Sequence, residues 1–276
     1  MTADPRQRMS LVPIVPTLGH THPQARWRTE AMRSHMSPRL IFISKGQGRI
    51  TVAGLTSGYG ANNLIFIPAR VMYGYELGTT AYGQMLTIPQ AMAGEWPDEP
   101  AHLRLKDVSA QKEVLGILDQ LERELTTARP GHARAAFYHI GLLAVAFQRQ
   151  HQARPGEARD ERSQTAAARL VAAFTDLVER DFRQSRGVGD YSRALGVTAT
   201  HLTRCCRATC GRSALSLLND RIIYEARQML RDTRTPVQDI AASLGFSSAA
   251  YFSRSFLARA GDTPSAFRRK GQAMSA

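Results

Sequence analysis

The chain has 276 residues, 43% of them hydrophobic and 21% charged, with 36 Lys or Arg against 23 Asp or Glu and a net charge of +13. Three cysteines exclude a disulfide-framed secreted scaffold, and no apolar run is long enough to span a bilayer. The pI of about 10.4 makes a polyanion such as a phosphate backbone the natural partner, and a reducing cytoplasm fits the thiol content.

The N-terminal stretch is polar, and its His20 and His22 read as solvated side chains. From Leu40 to Ile88 the pattern changes to short β-rich runs punctuated by glycine turns. They are Leu40 to Ser44, Arg49 to Ala53, Leu64 to Ile67, Val71 to Leu77 and Met85 to Ile88. This spacing predicts a small antiparallel barrel or sandwich. Inward side chains of such a lobe can enclose an apolar or aromatic small molecule with a few polar anchors. His35, Arg39, Tyr73 and Tyr75 are the candidate effector contacts, the tyrosines serving equally well as wall packing with the hydroxyl at the rim.

Two amphipathic helices follow. The first runs from about Ala110 to Leu125 with Val114, Ile117, Leu118 and Leu121 on one stripe, and the second from about Arg134 to Gln150 with Phe137, Ile140, Ala144 and Phe147. Such stripes complete a domain core or pair across a two-fold axis. The residues from His151 to Ser163 are polar, carry a Pro-Gly pair and read as an exposed linker. The expected organisation is therefore α+β: a β-rich sensor and dimerisation domain over 1–150, a linker over 151–163, and an all-α domain over 164–276.

The all-α part contains a duplication. Leu195-Gly196-Val197 with Leu202-Thr203-Arg204 returns as Leu244-Gly245-Phe246 with Phe252-Ser253-Arg254, and Gly211-Arg212-Ser213 returns as Gly261-Asp262-Thr263. Each glycine falls where a helix ends, and each Ser or Thr falls where a hydroxyl caps the next one. Thr263-Pro264 reads as a cap with proline at the first helical position, and Thr235-Pro236-Val237-Gln238 as a capping box. Both copies thus predict a helix, a glycine turn and a second helix whose outer face enters a DNA major groove.

With Leu202 and Cys206 inward, the first copy leaves Thr200, His201, Thr203, Arg204 and Arg207 outward, beside Thr198 at the turn. With Phe252 and Phe256 inward, the second leaves Ser248, Ala249, Ala250, Ser253 and Arg254. These short polar and cationic groups suit base edges and phosphates. From Asp181 to Ala276 there are 15 Lys or Arg against 7 Asp or Glu. Cys205, Cys206 and Cys210 lie on or just beyond one helix with His201. His201 and Cys205 share one stripe and the other two thiols share another, so one helix cannot gather all four around a metal. They read as buried free thiols, with a thiol sensor as the alternative.

Together, Tyr191, Leu195-Gly196-Val197, His201-Leu202-Thr203-Arg204, Gly211, Arg221, Ala226-Arg227, Ile240-Ala241, Leu244-Gly245-Phe246, Tyr251 to Phe256, Gly261, Pro264 and Phe267-Arg268 resemble the DNA-binding domain of AraC/XylS-type bacterial regulators, over about Gln164 to Lys270. Ser192, where that family usually has Ala, and Cys206, where it has an aromatic, depart from the pattern but are small enough to bury.

The resemblance implies a long helix from about Ala214 to Arg231 joining two units that enter successive major-groove segments of promoter DNA. It places base reading on Thr200, Thr203 and Arg204, then on Ala249, Ala250 and Arg254, and implies contact with RNA polymerase. The run from Gly46-Gln47-Gly48 through Gly54, Gly60 and Ile65-Phe66-Ile67-Pro68 resembles the cupin-type sensor barrel of the same family, and the following helices its dimerisation region. Metal-binding cupins need clustered histidines. Tyr73 stands where a His commonly follows the Pro68 turn and only His35 remains upstream, so neither a metal cofactor nor an enzyme is expected.

The Val197-Thr198 turn, the Arg204-Cys205-Cys206-Arg207 run and the Arg212-Ser213-Ala214-Leu215 segment resemble activators of aromatic-acid catabolism of the 4-hydroxybenzoate-responsive branch. The expectation is a cytoplasmic, nucleoid-associated homodimeric activator with an aromatic-acid effector and no membrane partner. An effector-independent or thiol-redox regulator is the alternative.

Overall fold

The computed structural model describes residues 9–16, 27–127, 129–153, 165–184 and 187–273; His20, His22 and most of the expected linker lie outside them. The N-terminal lobe holds eight strands: β1 (Ser10–Ile14), β2 (Arg39–Lys45), β3 (Gly48–Val52), β4 (Leu55–Tyr59), β5 (Asn63–Ile67), β6 (Tyr73–Leu77), β7 (Tyr82–Thr87) and β8 (Ala101–Arg104). They pair into a five-stranded sheet of order β1-β7-β2-β5-β8 and a three-stranded sheet of order β4-β3-β6. No ladder joins the two among the described residues, so the N-terminal lobe is a two-sheet sandwich rather than the closed barrel that the resemblance implies. The chain changes sheet between β5 and β6 through the turn after Pro68, which leaves edges on both sheets.

Three strands escaped the sequence pattern. β1 carries Pro13 and pairs only with β7, as proline confines a strand to an edge. β4 is half-exposed and contains Gly58, yet it is the hairpin partner of β3 across Ala53 and Gly54, whose φ values of 49° and 74° fit the tight turn that twisted strands favour. β8 is a four-residue edge against β5. The central strands β2 and β5 are buried on both faces, which is why they read as continuous apolar runs. Leu40, Phe42, Leu64 and Phe66 point to one side, while Ile41, Ile43, Ile65 and Ile67 fill the space between the sheets with Tyr73 and Tyr59.

The first side is covered by α2 (Val108–Thr126) and α3 (His132–Ala153), the short α1 (Trp27–Glu30) having preceded β2. Val114, Leu118 and Leu121 of α2 and Ile140, Leu143 and Phe147 of α3 are buried against the sheet with Trp96. The stripes therefore complete the core of the N-terminal lobe. α3 runs on to Ala153, past the start expected for the linker, with the His151 ring stacked 6.0 Å from that of Phe147.

The helical lobe comprises α4 (Ala166–Asp181), α5 (Val188–Ala194), α6 (Ala199–Cys210), α7 (Ala214–Asp232), α8 (Val237–Ser243), α9 (Ala249–Ala260) and α10 (Pro264–Ala273). Its core is contiguous with the N-terminal lobe, because Met32 and Met72 are buried in the same cluster as Val171, Phe174 and Leu217. The β3–β4 turn abuts α4 so closely that a Cβ on Gly54 would lie 2.3 Å from Cγ1 of Val171.

Candidate nucleic-acid interface

The two copies of the motif fold alike down to individual hydrogen bonds. In the first, α5 ends at a left-handed Gly196 (φ +68°), whose N–H donates to Arg193 O at 3.1 Å, and the Val197 N–H donates to Ser192 O at 3.0 Å. In the second, α8 ends at Gly245 (φ +79°), whose N–H donates to Ala242 O at 3.0 Å, and the Phe246 N–H donates to Ala241 O at 3.0 Å. Positive φ at both turns explains the glycine, since a Cβ there costs about 1–2 kcal/mol.

The next helices are capped the same way. The Thr198 hydroxyl accepts from His201 N at 3.1 Å and the Ser248 hydroxyl from Tyr251 N at 3.2 Å. At the far ends, α6 and α9 stop at Gly211 (φ +70°) and Gly261 (φ +76°). Ser213 and Thr263 cap α7 and α10 at 3.1 and 3.3 Å. One expected cap does not form. Pro236 is the N-cap of α8 and makes no side-chain cap bond; having no N–H, it gives Gln238 nothing to accept from at that position. The reciprocal half of such a box occurs instead in the first copy, where the Gly187 N–H donates to Asp190 Oδ2 at 3.0 Å.

Packing fixes which faces remain. Leu202, Cys206, Phe252 and Phe256 are fully buried, so α6 and α9 turn their opposite faces outward. Leu218, Ala226 and Leu230 of α7 are buried, with Ile222 and Met229 packed alongside. Arg221 ties this shared helix to α4: its Nε donates to Glu179 at 2.6 Å, its Nη1 to Glu225 at 2.9 Å, and its guanidinium lies 4.0 Å over the Phe182 ring. Ser192 is buried with its hydroxyl donating to Gly189 O at 3.0 Å, so neither departure from the family pattern opens the core.

All three thiols are free and buried. Burial pushes the Cys206 thiol up to about 12. The Cys205 Sγ lies 3.6 Å from His201 Nε2, while the Cys210 thiol donates to the Cys206 carbonyl at 3.1 Å, the two stripes the sequence implies.

On the outward face of α6, Thr200, Arg204 and Arg207 are exposed and His201 and Thr203 half-buried. Arg204 Nη2 and His201 Nδ1 lie 2.9 Å apart. On α9, Ala250 and Arg254 are exposed and Ala249 and Ser253 half-buried, while Ser248 is an exposed cap. The nominated DNA-facing residues therefore all lie on, or cap, the two second helices of the motifs, and the first presents the more polar surface.

The four effector candidates lie near one another around Arg33. The His35 and Tyr73 rings are 5.8 Å apart, and Tyr73 is walled in, its hydroxyl 3.9 Å from the Met85 sulfur. Burial, then Arg39, Arg33 and Arg221, lowers His35 to about 3. Arg39 donates to the Thr87 hydroxyl, opposite it in the β2–β7 ladder. Tyr75, on the same face of β6 as Tyr73, packs with it beside Ile50 and Val52, and it also borders a cleft of about 250 Å3 lined by Arg49, Thr51, Thr56 and Arg212.

No local pattern in the chain marks the groups that make the seam between the lobes. Arg33 is buried with its guanidinium 4.7 Å over Tyr73, 5.0 Å over Tyr75 and 5.8 Å from Tyr224 of α7. Trp27 sits 5.9 Å from Tyr224 and 5.8 Å from Phe267, with Arg227 4.7 Å over its ring. Burial lowers Arg227 to about 10, against the opposing pull of Asp220.

Two capped helix–glycine turn–helix units on one shared helix, each presenting a solvent-facing second helix, define a tandem helix-turn-helix domain. Residues 191–270 match the family described as "Helix-turn-helix domain". The match spans both glycine turns and the shared helix between them.

Over 101 residues, 37% of this chain and 36% of its relative, it is 32% identical to the HTH-type transcriptional regulator ExsA of Pseudomonas aeruginosa. Over 92 residues, 33% of this chain and 34% of its relative, it is 31% identical to the virulence regulon transcriptional activator VirF of Yersinia enterocolitica. The similarity thus spans about a third of the length of these relatives. Among solved structures, unsaturated fatty acid-bound ToxT from Vibrio cholerae aligns over 94% of both chains with 15% identity and a TM-score of 0.44.

Proposed function

We propose that this chain is a sequence-specific transcriptional regulator, acting as an activator, that places α6 and α9 in successive major-groove segments of promoter DNA. The observation that carries the reading is the paired capping and glycine-turn geometry, which holds two outward helices on one rigid α7. Thr200, Thr203 and Arg204 supply most of the direct base readout. Ala249 and Ala250 offer only methyl contacts, leaving Arg254 as the strong donor of the second unit. Thr198, His201, Arg207, Ser248 and Ser253 position the helices on phosphates.

The relatives' names, a regulator and an activator, support the same assignment. The N-terminal lobe binds a small effector, an aromatic acid being the first class to screen, and passes its effect to the DNA module through their shared core. The chain acts as a homodimer through α3, whose outer face exposes Tyr138, Leu142 and Val145 at helical spacing, and meets RNA polymerase at the promoter. No described helix is long and apolar enough to cross a membrane, and a cytoplasmic, nucleoid-bound, non-enzymatic protein is the reading that fits.

The test is genome-wide mapping of binding sites with and without aromatic acids, followed by titration of the purified protein against a mapped promoter fragment and random DNA. Discrete promoter-proximal sites with affinity well above that for random DNA are expected. Equal affinity for both, with and without effector, overturns the proposal.

A further inference from the structure

The cleft between the lobes joins the three-stranded sheet to the turn that leaves the first recognition helix. Its floor carries Arg49 and Thr51 of β3, Thr56 of β4, and Tyr75 and Glu76 of β6, and its far wall is Arg212, beside the left-handed Gly211 at the end of α6. Arg49 and Glu76 are register partners across the β3–β6 ladder, so their side chains leave the sheet side by side. Both are exposed, and neither makes an ion pair among the described residues. Arg212 is engaged with Asp220 and reaches Glu30 O at 3.5 Å. The Thr51 and Thr56 hydroxyls lie 2.7 Å apart and supply further donors and acceptors.

No aliphatic side chain contributes to this lining, the Tyr75 ring lying with Ile50 on the opposite face of the sheet, and a second acidic residue, Glu30, borders it. The volume of about 250 Å3 lies just below the range of about 300–1,000 Å3 of drug-sized sites, which suits a small metabolite. Adjacent opposite charges with hydroxyls around them recognise a molecule carrying both signs, or a carboxylate with hydroxyl groups close by.

Resting on the reading of the N-terminal lobe as a small-molecule sensor, we infer that the effector site is this interlobe cleft and that its ligand is a small hydrophilic carboxylate bearing an ammonium or hydroxyl group. Arg49 takes the carboxylate, Glu76 and the threonines take the donors, and Arg212 closes over it from the DNA module. A ligand held there touches the sensor sheet and the exit of α6 together. It therefore has a different affinity for any arrangement in which the two lobes part, which is what coupling to DNA binding requires.

The test is calorimetric titration of the full chain with L-glutamate, D-gluconate and 4-hydroxybenzoate, repeated on Arg49→Gln and Thr56→Val, with promoter binding measured on each protein. Binding of glutamate or gluconate that weakens by about tenfold or more in Arg49→Gln, and less steeply in Thr56→Val, is the expected result. Heat from 4-hydroxybenzoate alone, unchanged in both variants, puts the effector elsewhere and overturns the cleft while leaving the sensor reading intact. A protein that binds its promoter but none of the three probes also overturns the cleft assignment. Failure to bind any promoter fragment selectively strikes instead at the regulatory reading.

Discussion

Replacing Arg204 by alanine separates base reading from mere attraction to phosphate. Arg204 is exposed on α6 and its nearest described polar partner is His201 Nδ1 at 2.9 Å. Alanine is at least as good a helix former as arginine, so the fold should lose little. A bidentate arginine contact to a base is worth about 1–3 kcal/mol of discrimination. Forming it gives up the His201 contact, a net contribution of about 0.5–1.5 kcal/mol in a typical intramolecular hydrogen bond. The expected net loss on the operator is then about 0.5–1.5 kcal/mol, roughly 2- to 13-fold in Kd.

The assay is fluorescence anisotropy with operator and random duplexes of equal length over a salt series. Arg204→Ala should weaken operator binding by that factor and random binding far less. Arg207→Ala, one turn further along, should weaken both alike and reduce the magnitude of the log–log salt slope by about 0.9 if it holds one phosphate. Equal losses on both duplexes for Arg204→Ala refute the assignment of this side chain to the bases.

Other outcomes follow from the packing. His35 has its ordinary value of 6.5 lowered to about 3 in the fold; the unfolded chain binds the extra proton between these values, so stability is full above about pH 6.5 and declines as pH falls toward 3. From about pH 7 to about pH 5 this amounts to about 2 kcal/mol, and urea melts of His35→Gln should lack that part of the acid sensitivity; matching profiles count against the burial argument. Under native conditions iodoacetamide should leave Cys205, Cys206 and Cys210 unmodified, and mass spectrometry should show three adducts only after denaturation. Rapid native labelling of one thiol would revive a redox sensor. Leu142→Glu, on the outer face of α3, should convert a dimer to monomers in sedimentation equilibrium with unchanged circular dichroism; a wild-type protein already monomeric at micromolar concentration contradicts the proposed interface.

The helical lobe was legible because its information is local. Glycines that must take positive φ, hydroxyls that must cap, and apolar residues at helical spacing each act within one or two turns of chain, and the duplication repeated every signal. The exception, the entry to α8, fails for an equally local reason: a proline N-cap has no N–H to offer. In the N-terminal lobe, strands buried on both faces stood out, whereas β1, β4 and β8 are edge or half-exposed strands. Their pairing is decided by partners far away in sequence.

The candidate sites divide along the same line. The outward residues of α6 and α9 follow once the inward ones are known, so the sequence located that surface. Tyr73 and Tyr75 fall on one face of β6, as strand alternation requires, but no local pattern shows that Arg33 lies over both rings.

By itself, then, the amino-acid order determined the two capped units, their shared helix and the polar character of the outward face of α6, because backbone conformation and helical periodicity are short-range properties. Only the tertiary structure decided that the β-rich lobe is an open sandwich, that Met32, Met72, Trp27 and Arg33 lock it to α7, and that Arg49, Glu76 and Arg212 converge on one cleft. Those contacts join residues separated by most of the chain, and no local pattern encodes which distant surface will cover a side chain.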